Sequence, residues 1–364
     1  MRGAVRAFLI ILVVSVGGAL NDTHGLCFSV PDELTCPSRL FGHTGAVESL
    51  AFSPDGACLV AGESTGAIDV WRIGESTGWI ERTLSGHMDR VGVVAFSPDG
   101  NTLASGSYDG DVLLWNPSSG RQIGRLGARF GPVGSLAFTP DGRALAVATH
   151  RGAVEIWSPT TKARSHLLVC YPVEPLRSVG AVQSVAFAPD GRLLAAGCQD
   201  GAIRLWETES WSSIGVLTGP ATSVNTVGFA AEGKSLVSAS MDGAVRIWDV
   251  EICELAKVLR PARSAPVLAL TVGPAGQTVI SGDFNGSIEW WKIDSGARLG
   301  GIPQSLPPVS ALHFDPRGRF LASAHLGDVV NLWPVPCLTE DEAPPPTADE
   351  SSARDEPDRS EGAA

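Results

Sequence analysis

No HExxH pair, no CxxC pair and no apolar run of about 20 residues occurs in this 364-residue chain. The first absence removes the helical zinc-protease signature. The second removes zinc ribbons and thioredoxin-type redox motifs, and the third removes an ordinary membrane-spanning helix. Seven cysteines, an odd number scattered without ligand spacing, indicate neither a disulfide framework nor a metal cage. Cys27 and Cys36 alone, close together near the N-terminus, could form a local disulfide if the protein is exported. Basic residues are short too, 27 Lys and Arg against 39 Asp and Glu, for a net charge of −12. A chain with no basic face is not expected to bind nucleic acid. The seven histidines fall in no cluster with carboxylates along the chain, so no catalytic, cofactor-binding or metal-binding residue is assigned, and no cofactor is expected.

What is abundant is apolar residue and turn former: 44% hydrophobic residues, 42 Gly and 25 Pro, the composition of a folded chain of many short strands. The two ends depart from it. Arg2 and Arg6 precede an uncharged run, Ala7 to Leu20, that ends in small residues, so residues 1–20 read as a signal peptide or a short membrane anchor. This places the protein outside the cytoplasm or at a membrane, and contact with a membrane is expected only through an uncleaved N-terminus. A start codon chosen too far upstream would make the protein cytoplasmic instead. Residues 21–37 form a lead-in. The stretch 339–364 carries nine acidic residues and two arginines, −7 of the total charge, with four prolines and no aromatic residue. It cannot offset its ordering entropy by burial and reads as an acidic disordered tail.

Between the ends, one pattern recurs seven times: TGAIDVW, DGDVLLW, RGAVEIW, DGAIRLW, DGAVRIW, NGSIEWW and GDVVNLW. The closing tryptophans, Trp71, Trp115, Trp157, Trp206, Trp248, Trp291 and Trp333, stand 42 to 49 residues apart. A second pattern runs in phase with it, from VESLAFSPDG at Val47 to VSALHFDPRG at Val309, each an apolar strand closed by a tight turn in which Pro fixes φ and Gly supplies positive φ. A second strand follows each turn, and a less regular fourth strand follows each tryptophan. Four antiparallel strands per repeat, seven times over, bury their faces best as radial blades around an axis. The expected fold is therefore all-β, a seven-bladed β-propeller of four-stranded antiparallel blades over residues 38–338. Nothing strand-like follows Trp333, so the segment Ser38 to Phe41 must complete the last blade and remove its unpaired edge.

These strings resemble the WD-repeat family across nearly the whole folded chain. The resemblance implies a structural hydrogen-bond network in the second repeat from His87, Ser105, Asp109 and Trp115, residue types that otherwise suggest a hydrolase triad. The other repeats depart from it. The first keeps His43 and Trp71 but has Ala61 and Thr65 at the serine and aspartate positions. The fourth keeps Asp200 and Trp206, and the fifth keeps Ser238, Asp242 and Trp248 with Pro220 at the histidine position. Packing of apolar residues is therefore expected to carry most blades.

GFAAEGKS, Gly228 to Ser235, matches the phosphate-binding loop pattern, but its phase puts it on the strand and turn of the fifth repeat, where no helix can follow. Asn285 precedes a Gly and reads as a turn residue tolerating positive φ rather than a glycosylation site. The residues seven before each tryptophan include Tyr108, His150, Gln199, Met241, Phe284 and Leu326, with Ser64 in the first repeat. Large apolar side chains on turns point to a partner-binding face, which also receives the one long insertion, Ser165 to Gly180. The expected function is a non-enzymatic scaffold for a protein or peptide partner. The alternatives are an enzyme or small-ligand binder with a site at the axial mouth, or an intracellular assembly subunit.

Overall fold

The computed structural model of the chain describes residues 38–335, apart from 75–76, 129–130, 171–179, 221, 262–263, 303–305 and 328. The segments 1–20, 21–37 and 339–364, with Cys27 and Cys36, lie outside the described residues, as do residues 171–179 of the insertion.

Each recurring string becomes an element of one sheet. In the second repeat the inner strand Val91–Phe96 pairs antiparallel with Leu103–Ser107. That strand pairs with Asp111–Asn116, and the last pairs with the outer strand Arg121–Gly127. Seven such four-stranded sheets form, and the one 3-10 turn among the described residues is Ala231–Gly233. The tight turns between first and second strands all place glycine in the left-handed region, from Gly56 at φ 62° to Gly233 at 90°. Inner strands are buried at every or nearly every position, because neighbouring blades cover both faces, whereas outer strands alternate toward solvent. The inward-facing position of the outer strands is a leucine in six blades: Leu40, Leu84, Leu126, Leu168, Leu217 and Leu259 are all buried.

Blades meet through a small residue facing a valine. A Cβ on Gly106 would lie 2.5 Å from Val133 Cγ1 of the next blade, and one on Gly282 would lie 2.5 Å from Val309 Cγ1. The equivalent positions in the third, fifth and seventh blades are Ala148, Ala239 and Ala324, so this position is never larger than a methyl group. Fixing that gap with valine packs the blades at interior density.

The ring closes across the chain ends. The last blade contains Val309–Phe314, Phe320–His325, Val329–Pro334 and, antiparallel to the third of these, Ser38–Leu40, in the register Ser38 to Leu332 and Leu40 to Val330. Ser310 Oγ donates to Val47 O at 2.9 Å and Arg319 Nη2 donates to Gly56 O at 2.9 Å, tying the seventh blade to the first.

One turn expectation is corrected. Asn285 does not take positive φ; Gly286 does, at 81°. The left-handed corner falls one residue later because the turn passes beneath the connection that leads on to the seventh blade, where a Cβ on residue 286 would lie 1.9 Å from Leu306 O. Only glycine fits there.

Candidate functional site

In an up-and-down blade, the connection from an outer strand to the next inner strand and the turn between second and third strands lie at the same end. Seven backbone hydrogen bonds join the two, among them Tyr108 N to Arg90 O at 3.1 Å, Phe284 N to Pro266 O at 2.9 Å and Leu326 N to Pro308 O at 2.8 Å. The residues seven before each tryptophan therefore form a ring on one face, each tied to the residue that leads into its own inner strand.

In the second blade that end carries a continuous polar chain. Trp115 Nε1 donates to Ser105 Oγ at 2.8 Å, Ser105 Oγ lies 2.8 Å from His87 Nε2, and His87 Nδ1 lies 3.0 Å from Asp109 Oδ2. The N–H groups of Met88 and Asp111 also donate to Asp109, each at 2.9 Å. Burial lowers the His87 pKa although Asp109 pulls it upward. For Asp109 burial acts to raise the pKa, but the Met88 and Asp111 N–H groups and His87 outweigh it and hold the carboxyl below its ordinary value. Ser105 is fully buried, so its triad-like neighbours present no nucleophile to a substrate; the chain binds a connection to a turn and to two strands. Asp109→Ala should cost about 1–3 kcal/mol in urea unfolding, because it strips a partner from buried His87 and from two backbone donors. Thr65→Ala, at an exposed turn, should cost less; the reverse order would mean that this chain is not what holds the end of the blade.

The remaining blades keep fragments of the chain and add polar groups. Trp248 Nε1 donates to Ser238 Oγ at 2.8 Å, but Asp242 is turned to Arg246, so the fifth blade's turn is joined to its connection by the backbone bond from Met241 N to Ser223 O rather than through Asp242. In the seventh blade Trp333 Nε1 reaches Ser323 Oγ at 2.9 Å, and His325, two residues further along the same strand, stands in for the usual histidine. Its ring lies 3.0 Å from Ser323 Oγ and 2.9 Å from Pro307 O. Where serine is missing in the third blade, Trp157 Nε1 donates to Glu155 at 3.1 Å, and Arg164 neutralises that carboxylate at 3.2 Å.

Glu155 belongs to a set that the sequence displayed and sequence reasoning passed over. The residue two before each tryptophan is Asp69, Glu155, Arg204, Arg246, Glu289 or Asn331 in six blades, and Leu113 in the blade whose network is complete. The signal is a polar residue in the middle of an apolar strand, as in DVW, EIW and RLW. Polar pairs therefore supplement apolar packing more than the sequence suggested.

The first blade makes the most unusual arrangement. Asp69 Oδ1 accepts from Thr83 at 2.6 Å, and Glu63 accepts from Thr44 N at 3.2 Å, Thr44 Oγ1 at 2.8 Å and Thr65 Oγ1 at 2.9 Å. His43 meets the Trp71 ring edge-on at 5.2 Å. Burial and the adjacent Glu63 push the Asp69 carboxyl up to about 7. Glu63 is also raised by burial, but its hydrogen bonds bring it below its ordinary value.

Around the ring, the structure brings some of the expected partner-binding residues together and leaves others apart. Tyr108 and His150, from adjacent blades, meet edge to face at 5.2 Å, and the Arg90 guanidinium lies 4.2 Å above the Tyr108 ring. Arg90 also faces Glu48 at 3.7 Å. A Cβ on Gly92 would lie 3.1 Å from the Tyr108 ring and one on Gly134 would lie 3.0 Å from that of His150, so both rings lie against inner strands. Burial pushes the Tyr108 hydroxyl up to about 12 and, with help from Arg90, takes His150 down to about 4. Gln199 is exposed and its Oε1 accepts from Ala181 N at 2.9 Å; Met241 and Leu326 are half-buried. Phe284 is 51% exposed. Two neighbours on the connections of the same face went unnoticed in the sequence: Phe41 is 73% and Met88 92% exposed. Their strings, LFGH and SGHM, gave no signal beyond a large apolar residue beside a loop histidine.

The GFAAEGKS stretch forms the end of the strand Val224–Ala230, the 3-10 turn and the start of the strand Ser235–Ser240, with Lys234 exposed. Strand, not helix, follows Ser235, so no helix N-terminus faces a phosphate there.

Four segments, residues 34–72, 78–116, 174–207 and 211–249, match the family model described as WD domain, G-beta repeat. No curated protein matches the chain. Three of the matched segments span an outer strand and the three strands that follow it, residues 174–207 hold the three strands Val182–Phe187, Leu193–Cys198 and Ala202–Glu207, and the same unit recurs through the closed ring of seven blades. The chain is a WD-repeat β-propeller.

Proposed function

We propose that this protein is a non-enzymatic scaffold that binds a protein or peptide through the face bearing the second-to-third strand turns. Propellers of this family are typically protein-interaction scaffolds. The observation that carries the assignment to this face is the exposure of Phe41, Met88 and Phe284 on loops of one end of the ring. Nothing in the blade architecture requires large apolar side chains there, and exposed apolar groups rimmed by polar ones are the composition of an interface core. Tyr108 and His150 are held in place by Arg90 and by each other, so they present an ordered, amphipathic surface beside these exposed anchors, with Gln199, Met241 and Leu326 completing the ring. Arg2 and Arg6 ahead of the uncharged run at 7–20 support an exported or membrane-associated setting for this scaffold.

The test is a double substitution, Met88→Ser with Phe284→Ser, at two positions that contribute little burial. Co-purification of the bound partner should fall at least tenfold while the melting temperature stays within about a degree of the parent, since interface anchors carry energies of 2 kcal/mol or more. A matched pair on the perimeter, Ile214→Ser with Val216→Ser, should leave capture unchanged. Undiminished capture by the first variant, or equal loss in both, would move the binding site off this face.

A further inference from the structure

We infer that His43, Glu63 and Asp69 form a binding site for one divalent transition-metal cation of the zinc type at the end of the first blade. The three side chains come from a connection, a second strand and a third strand, and one nitrogen or oxygen of each lies within 4.8 Å of the others. Three ligands around one tetrahedral ion at bonds of about 2.0–2.2 Å stand about 3.3–3.6 Å apart. A closing movement of about an ångström, within reach of side-chain rotation, therefore completes the set.

Charge supplies the second argument. Glu63 is fully buried and Asp69 is 2% exposed, yet neither forms an ion pair with a lysine or arginine among the described residues. Four other buried carboxylates of the ring do have one: Glu48 faces Arg90, Glu155 faces Arg164, Glu289 faces Arg298 and Asp315 faces Arg319; buried Asp283, which stands alone, accepts the N–H groups of Asn285 and Ser287 instead. Two adjacent buried carboxylates need a positive charge or a shared proton. The third argument is an acceptor that no N–H or hydroxyl reaches. Thr83 satisfies one oxygen of Asp69, but Asp69 Oδ2 has only the Glu63 carboxyl beside it, a contact that needs a shared proton or a cation between the two. The threonine contacts on Glu63 and Asp69 are of the kind that orient ligating carboxylates in metal sites.

The donor set also selects the ion. One imidazole with two carboxylates suits zinc and its first-row neighbours. Calcium takes 6–8 oxygens and magnesium an octahedron of oxygen ligands, more than this buried end supplies. His43 is half-buried and Thr44 exposed, so the ion has a path in and a fourth position open to water.

The experiment titrates zinc into the full chain after chelator treatment, following heat of binding and melting temperature, with cobalt absorption as a report on coordination. One equivalent should bind saturably and raise the melting temperature, and magnesium and calcium at the same concentration should do neither. Asp69→Asn, which preserves shape and the Thr83 contact, should weaken binding at least tenfold, since even residues that only orient ligands are worth 10–100-fold. His43→Gln, at a half-exposed position that folding tolerates, gives the same reading should the aspartate variant be unstable. No saturable zinc binding, or unchanged stoichiometry and affinity in these variants, overturns the site and leaves the two carboxylates sharing a proton.

Discussion

Deleting residues 1–41 is expected to destabilise the ring by more than about 2–5 kcal/mol, the cost of truncating Leu40 alone, and so to lower the midpoint of urea unfolding far more than deleting residues 339–364. Leu40 is 1% exposed and packs in one cluster with Trp333, Leu332, Val330, Val47 and Trp71, so a single side chain belongs at once to the seventh blade and the first. Its strand pairs with Val330 to Leu332. Without it those residues lose both a partner strand and an apolar cover, and the ring acquires an open edge where its first and last blades meet. The acidic stretch at 339–364 has no aromatic and little apolar surface with which to compensate for its own ordering. Leu40→Ala in the otherwise intact chain separates packing from chain length and should account for about 2–5 kcal/mol by itself. Equal unfolding midpoints for the two truncations would mean that the ring is not held shut by this strand.

The contrast between those two ends shows what a single sequence makes legible. Blade count, strand order and closure were readable because they rest on period and backbone chemistry: tryptophans at 42 to 49 residues, glycines at left-handed corners, and outer strands that end on a leucine. The His87 chain was readable because the resemblance to WD repeats implies its members and the up-and-down blade brings the His87 connection to the Asp109 turn. The arrangement at His43, Glu63 and Asp69 was not, because its members are separated by 20 and then 6 residues on three different elements, a spacing that matches no local ligand motif. His325 was invisible for a related reason, since it replaces a loop histidine from within a strand, where the alternation gives no hint of its partners Ser323 and Pro307. The ring of turn residues was legible by position but not by role. Sequence distance from tryptophan could not tell that Tyr108 and His150 lean on inner strands while Phe284 stands clear.

A last consequence concerns acid. His313 occupies the fifth position of its inner strand, where the other blades have Ala51, Ala95, Ala137, Ala186, Gly228 and Thr271. The extra volume fits between the seventh and first blades, with the ring centroid 6.0 Å from that of Phe52 and Nδ1 2.9 Å from Phe314 O. Burial takes its pKa down to about 4, although Phe314 O and Asp315 act in the other direction. The folded state therefore keeps His313 neutral between pH 6.5 and about 4, while the unfolded chain takes up a proton. Stability from this group is complete above pH 6.5 and is lost as pH falls toward 4, by about 3 kcal/mol in all. His87 and His325, whose pKa values are also lowered by burial, add to the loss in the same direction. Asp242, held down to about 2 against its own burial by Arg246 and Ser240, begins to contribute only below about pH 4. Asp69, whose carboxyl is raised to about 7, works in the opposite direction as pH falls through 7, so in urea midpoints measured from pH 7.5 to 4.5 the His313 contribution is read as the difference between the parent protein and a variant. In His313→Gln, which keeps an amide to meet Phe314 O and the Phe52 N–H, the midpoint should be lower at pH 7.5 but the fall shallower, by the share of one proton. If the two proteins lose stability in parallel across this range, His313 takes up no proton on unfolding and the acid sensitivity of the ring resides in its other histidines.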